Sequence, residues 1–343
     1  MMESPCDSLT VAQAFAYWLG NRRDDVKKNT WISYHQFSVY IVGPLLAGTR
    51  TERVNFARRG EMPQNAQFVE MLGSVRISEL TTARIRAWHK TLTTMVSAHT
   101  ANVAKKFLRA ALALAAEDLG VSSVPHMPTR LGRGKPRPKK NILLPEQVGR
   151  LVTRALHDER GLYYAFPFLT GVRPSEQLAL RWEDIDFVGG AIRIRRMQEP
   201  DCTITDFTKT AASMRDIPMS RVLTEMMIKW RLRCPTGKDG IERVFPCLGL
   251  PGSRGHKKRG GPLSYANFIR TYWRPALKAL ELPIVTPHSA RHVFISTLQS
   301  RGVEVGLVAK LAGHADVAVT LSHYTQAVRG GQAAVETLDA AYR

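Results

Sequence analysis

Residues 130–141, RLGRGKPRPKKN, hold six bases, two prolines, two glycines and no acid. Proline removes backbone donors and glycine resists ordering, so this stretch cannot build a helix or a core strand. It reads as an extended linker. It cuts the 343-residue chain into residues 1–129 and 142–343, and each block is long enough to bury its own core. A flexible tether needs no particular charge. This one is basic, which suits it to lie along a phosphate backbone, with Arg133, Lys135, Arg137, Lys139 and Lys140 as the expected contacts.

The same sign runs through the whole chain. The net charge is +20 and the pI near 10.2. Residues 1–140 carry 21 bases against 10 acids, and the remainder carries 28 against 19. Both blocks therefore face a polyanion, with nucleic acid a better candidate than an anionic membrane. No apolar run approaches the ~18 residues of a spanning helix. Glu3 and Asp7, with no basic segment beside them, argue against a secretory leader. Cys6, Cys202, Cys234 and Cys247 form no CxxC pair, and Cys234, Cys247 and His256 match no common zinc spacing. Reduced cytoplasmic thiols are the simpler reading. No metal and no cofactor are expected.

Apolar periodicity makes residues 9–119 mostly helical. Thr10 is placed to cap "VAQAFAYWL". Ile85, Trp88, Leu92 and Met95 form one stripe. In "SAHTANVAKKFLRAALALAAEDLG" the expected buried face is Val103, Phe107, Ala110, Ala111 and Leu114. Lys105, Lys106 and Arg109 lie opposite it. A charged face is ordinarily just solvated, but in so basic a chain it is a candidate phosphate contact. Residues 47–66 show no period and read as a loop insertion.

After the linker, Pro145 suits a helix first turn. "YYAFPFLTGVRPSEQLALRW" reads as helix, glycine stop, then a new helix with Pro174 near its start. "DFVGGAIRIRRM" reads as a hairpin, Ile192 and Ile194 alternating with Arg193 and Arg195. "TDFTKTAASMRDIPM" continues the sheet. Further helices start near Ser220, Ser264, Pro287 and Glu304. The expected fold is mainly α with a small antiparallel β-sheet: an all-α N-terminal domain and an α+β second domain.

Several polar residues stand at sharp punctuation. Arg173 sits at a helix start, where free N–H groups already favour phosphate and a guanidinium adds a planar fork. Glu176, three residues on, is spaced to close a capping box or to orient Arg173. His288 and Arg291, at i and i+3 in "PHSARHVF", share a helix face, while His292 and Phe294 point elsewhere. No acid lies nearby to pair them. "VGLVAKLAGHADVAVTLSHYTQ" is helix, glycine turn, helix, which also suits a helix-turn-helix DNA reader. That reading leaves His314 at the turn and Tyr324 after the second helix unexplained. Metal ligation by His288, His314 and His323 is another reading, with no acidic ligand or Cys/His spacing beside it.

Taken in order, "TGVRPSEQLALRWEDID", "TKTAASMRDIPM", "HSARH" and "LAGHADVAVTLSHYT" resemble the tyrosine recombinase (phage integrase) family. The His-x-x-Arg spacing and the ten residues from His314 to Tyr324 both match. The motifs span residues 165–326, and "LGSVRISELTTARIRAWHKTL" is similar, more weakly, to the family's core-site DNA-binding domain. The resemblance implies residues 1–129 as that domain, 130–141 as linker and 142–343 as the catalytic domain. It implies Arg173, Lys209, His288, Arg291, His314 and Tyr324 as catalytic residues, with Glu176 in support. It implies site-specific cutting and rejoining of double-stranded DNA through a 3′-phosphotyrosine, without metal or ATP. It also implies a homotetramer on DNA joined by exchange of a tail helix, residues 330–343, with docking in cis as the alternative. An accessory DNA-bending protein, and action in the cytoplasm at the nucleoid, follow from the same likeness. Two other readings remain open at this point: a non-catalytic helix-turn-helix regulator, and a type IB topoisomerase acting on one duplex.

Overall fold

Thr10 opens the first helix by closing a capping box: its N–H donates to Gln13 Oε1 (2.9 Å) and its hydroxyl accepts from Gln13 N–H (3.3 Å). The computed structural model describes residues 8–121, 124–128, 142–206, 214–249, 259–314, 316–318 and 320. The chain divides into two compact units, Met1–Pro138 and Lys139–Arg343.

The N-terminal unit is helical: α1 (Val11–Arg22), α2 (Lys28–Gln36), α3 (Ser38–Ile41), α4 (Arg50–Arg59), α5 (Thr82–Met95) and α6 (Ala98–Asp118). Its core joins Phe15 and Trp18 of α1 to Ile85, Trp88 and Leu92 of α5 and to α6. The buried face of α6 is Ala101, Ala104, Leu108, Ala111, Leu112 and Ala115. The expected stripe of Val103, Phe107, Ala110 and Leu114 flanks this seam instead, half-buried. Small alanines let α1 and α5 approach closely, so the larger apolar side chains fill the shoulders.

Residues 47–66, expected as a loop, contain α4. It sits between two short strands, β1 (Leu45–Leu46) and β2 (Phe68–Val69), which pair antiparallel. The helix buries no residue, so it leaves no apolar period to read. Its readable mark is the capping box between Thr49 and Glu52.

The C-terminal unit runs α7 (Pro145–Leu156), α8 (Gly161–Thr170), α9 (Pro174–Ala179), β3 (Ile185–Asp186), β4 (Ala191–Ile194), β5 (Arg196–Gln198), β6 (Ile204–Asp206) and β7 (Arg215–Pro218). It continues with α10 (Arg221–Arg231), α11 (Tyr265–Phe268), α12 (Arg274–Ala279), α13 (Pro287–Ser300) and α14 (Val305–Ala312). A π-helical turn, Ile269–Trp273, joins α11 to α12. Strands β3, β4 and β7 form one antiparallel sheet, and β5 with β6 a second. Ile192 and Ile194 face inward from β4, Ile217 from β7.

Helix α8 is apolar on nearly every side and is the central element, as such a helix must be. Tyr163 stacks on Tyr272 at 4.2 Å and Phe168 on Trp273 at 5.5 Å. Pro167 lies inside α8 and cannot donate to the carbonyl of Tyr163 one turn earlier. The side chain of Gln177 on α9 does so instead, Nε2 to oxygen at 2.8 Å, fully buried. This bond ties α9, and with it Arg173 and Glu176, to the core helix. Gln177→Leu should therefore lower unfolding free energy by about 1–3 kcal/mol, the cost of an orphaned buried carbonyl. Denaturant titration checks this, and an unchanged midpoint would contradict it.

Candidate active site

Two glycine turns build the site. Helix α8 ends at Gly171, whose φ of +66° is in the left-handed region. A Cβ there would also run into the ring of Phe294. The Gly171 carbonyl accepts from Arg291 Nη1 of α13 at 3.1 Å. Two residues on, Arg173 is the N-cap of α9. Phe294 thus packs at the site's glycine turn, a correction to the expectation that it points elsewhere.

Helix α14 ends in a Schellman turn. The Gly313 N–H donates to Lys310 O and the His314 N–H to Ala309 O, both at 3.0 Å. This fixes His314, whose Nδ1 lies 2.7 Å from Thr320 Oγ1. The later carbonyls of the turn meet two guanidiniums: Arg173 Nη2 donates to Gly313 O (3.0 Å) and Arg215 Nε to Leu311 O (2.7 Å). Cations at a helix C-terminus are favourably placed in the dipole.

Glu176 joins these arginines. Its Oε1 accepts from Arg173 Nη1 (2.7 Å), and its Oε2 from the Arg173 N–H (2.8 Å) and from Arg215 Nη2 (2.8 Å). Both functions expected of Glu176, capping and orienting, are therefore present in the geometry. Burial would raise its carboxyl pKa, but the bonds and charges of Arg215 and Arg173 hold it below the ordinary value.

Arg291 is 1% exposed. Burial, then the neighbouring charges of Arg173 and Arg215, push its pKa down to about 9, with Glu176 acting the other way. Its Nη2 is buried and has no hydrogen-bond partner among the described residues. A buried cation with an unused donor, beside two further arginines and one acid, is a site short of an anion. Among the described residues no group of three or more His, Cys, Asp or Glu could hold a metal ion.

His288 is exposed on the first turn of α13. Its ring meets that of His292 edge-on, centroids 5.0 Å apart. His292 was expected to point away; the i, i+4 spacing instead sets it beside His288. Lys209 and Tyr324 lie outside the described residues, as do His323, Arg133, Lys135, Arg137, Lys139, Lys140 and the tail 330–343. In the N-terminal unit Lys106 and Arg109 are exposed. Lys105 is half-buried and its ammonium donates to Pro128 O at 2.8 Å, so part of its donor capacity is spent inside its own domain.

The sequence reading missed Arg215. Its signal is the strand period: Ile217 faces inward, so Arg215, two residues earlier, must face inward too. Thr320, the partner of His314, carried no such mark.

The same stretch of chain stands out on comparison with known proteins. The chain is 29% identical over 188 residues to a XerC-like tyrosine recombinase of Caldanaerobacter subterraneus, covering 51% of this chain and 48% of that protein. It is 28% identical over 232 residues to an integrase/recombinase of Escherichia coli, covering 60% and 67%. These alignments span about half to two-thirds of the curated relatives. Among solved structures, the Tn1549 transposon integrase in complex with circular intermediate DNA superposes with a TM-score of 0.70 at 21% identity, covering 96% of this chain and 99% of that one. A lambda integrase tetramer bound to a Holliday junction gives 0.60 at 17% identity, covering 92% and 78%. These structural likenesses establish a shared fold of helical N-terminal region and catalytic domain. The sequence model of the phage integrase family matches residues 141–329, more than half the chain and the whole span of the arginine–histidine site, so the chain belongs to the phage integrase family of tyrosine recombinases.

Proposed function

We propose that this chain is a site-specific DNA recombinase that cuts and rejoins strands through Tyr324. The observation that supports this most is the buried, incompletely bonded Arg291 beside Arg173 and the His314 turn. A scissile phosphate would give Arg291 Nη2 the acceptor it lacks among the described residues. In the cleavage step the Tyr324 oxygen bonds to phosphorus and the phosphorus–O5′ bond breaks. The product is a 3′-phosphotyrosine and a free 5′-hydroxyl. Lys209 supplies the proton to the leaving oxygen, and His288 takes the proton of Tyr324, whose ordinary pKa near 10 calls for a base at neutral pH. Arg173, Arg291 and His314 stabilise the charge that gathers on the non-bridging oxygens. One phosphoester replaces another, so the step conserves bond energy and is reversed by a 5′-hydroxyl of a second strand.

Both units contribute bases to the duplex: Lys106 and Arg109, Lys105 through its remaining donors, and the linker set from Arg133 to Lys140. Six to ten phosphate contacts would lower affinity ~10³–10⁵-fold between about 50 and 200 mM salt. A flat salt dependence would contradict the proposal that both lobes and the linker grip DNA. Assembly as a tetramer by exchange of the tail 330–343 is the corresponding proposal for partners, with an accessory bending protein where the site demands a bend. Action on DNA places the chain with the nucleoid in the cytoplasm. Deleting residues 330–343 should abolish higher assembly on DNA while leaving binding to one site intact, as read by gel shift. Cleavage itself is tested by trapping a covalent product on a nicked duplex whose cut fragment diffuses away; binding without a product would favour a non-catalytic regulator.

A further inference from the structure

Arg215 is enclosed within the site, its side chain 2% exposed. It is the first residue of β7, six residues after Lys209. Its planar fork spans three elements. From β7 it reaches Glu176 on α9 with both Nη1 (3.2 Å) and Nη2 (2.8 Å), and the last turn of α14 with Nε (2.7 Å). The α14 turn also packs directly on it: a Cβ at Gly313 would stand 2.9 Å from Nη1 and 3.1 Å from Cζ. Gly313 is thus required by its left-handed φ of +67° and by this close approach.

The consequence concerns Arg173. Its two Nη atoms are aimed by Glu176 Oε1 and Gly313 O. Arg215 holds both supports, the carboxylate by hydrogen bonds and the turn by a hydrogen bond at Leu311 and by contact at Gly313. Arg173 and His314 are consequently set relative to one another through a third residue that lies walled in behind them. A buried arginine–glutamate pair is a weak source of stability, because desolvation offsets the attraction. A rigid fork with three fixed directions is well suited to geometry, and a lysine, a single point charge on a flexible stem, cannot reproduce it.

We infer that Arg215 is a positioning residue for strand cleavage: by bracing Glu176 and the Leu311–Gly313 turn on one guanidinium, it sets Arg173 and His314 at the spacing the scissile phosphate requires. This rests on the strand-cleavage reading above. A misplacement of about 1 Å at such a site costs on the order of 10²-fold in rate.

The test measures single-turnover cleavage of a nicked duplex and, separately, affinity for that duplex, in the unsubstituted chain and in Arg215→Lys, Arg215→Met, Glu176→Gln and the double variant Arg215→Met/Glu176→Gln. Arg215→Lys should fold, bind DNA within about twofold of the unsubstituted chain, and cleave about 10²-fold more slowly. Because Arg215 acts on Arg173 in part through Glu176, the double variant should lose less than the product of the two single losses, an effect a merely stabilising pair would not give. If Arg215→Met does not fold, Arg215→Lys, which keeps the charge and loses the fork, carries the test. Cleavage by Arg215→Lys at the unsubstituted rate, or losses that multiply in the double variant, would overturn the inference while leaving the strand-cleavage reading in place. Absence of any covalent product from the unsubstituted chain would overturn both.

Discussion

Arg291→Met will slow strand cleavage about 10²–10³-fold, the range for losing one preorganised donor to a developing oxyanion, and will not lower the stability of the fold. Two opposing effects set the second half of this expectation. The substitution strips the Gly171 carbonyl of its 3.1 Å partner, which costs about 1–3 kcal/mol. It also removes a buried cation whose Nη2 has no partner among the described residues. At about 1.4 kcal/mol for each pKa unit, the depression of Arg291 from 12.5 to about 9 makes relief of that buried charge outweigh the lost hydrogen bond. Methionine fills similar volume without charge. The pH dependence has a definite sign. The folded-state pKa lies below the unfolded one, so the unfolded chain holds the proton more tightly. The penalty is complete below the folded value of about 9 and fades above it. The stability advantage of Arg291→Met should accordingly shrink as pH rises past 9, as read by calorimetry. A large loss of stability at neutral pH would show instead that Arg291 is a structural residue.

Such a site, kept at some expense to the fold, also shows what can be read from sequence. Arg173, Glu176, Arg291 and His314 were legible because each stands at a punctuation mark: a glycine stop, a proline at a helix start, or a His-x-x-Arg step. The structure draws these four positions into one bonded cluster through Gly171, Gly313 and Arg215. The gross architecture was legible for the same reason, since caps at Thr10, Ser220, Ser264 and Thr286 mark helix starts directly.

What failed did so where periodicity carries no information. Helix α4 buries nothing, so only its Thr49–Glu52 cap could have announced it. The face of α6 was misjudged because size was weighed above closeness of packing; alanines 101, 104, 111 and 115 occupy the seam. Arg215 was passed over because an inward-facing charge breaks the alternation that marks a strand, although its phase with Ile217 fixed its direction. His292 was set apart from the face shared by His288 and Arg291, whereas one full helical turn places it beside His288.

The most direct measurement is made on Tyr324. Incubated with a nicked duplex that it binds tightly, the unsubstituted chain will yield a covalent protein–DNA product, and peptide mapping will find the nucleotide on the peptide that holds Tyr324. Tyr324→Phe keeps the ring and loses only the nucleophilic oxygen, so it will bind the same duplex with unchanged affinity and yield no product. A covalent product from Tyr324→Phe, or a nucleotide mapped to any other residue, would contradict the assignment of Tyr324 as the residue that cuts the strand.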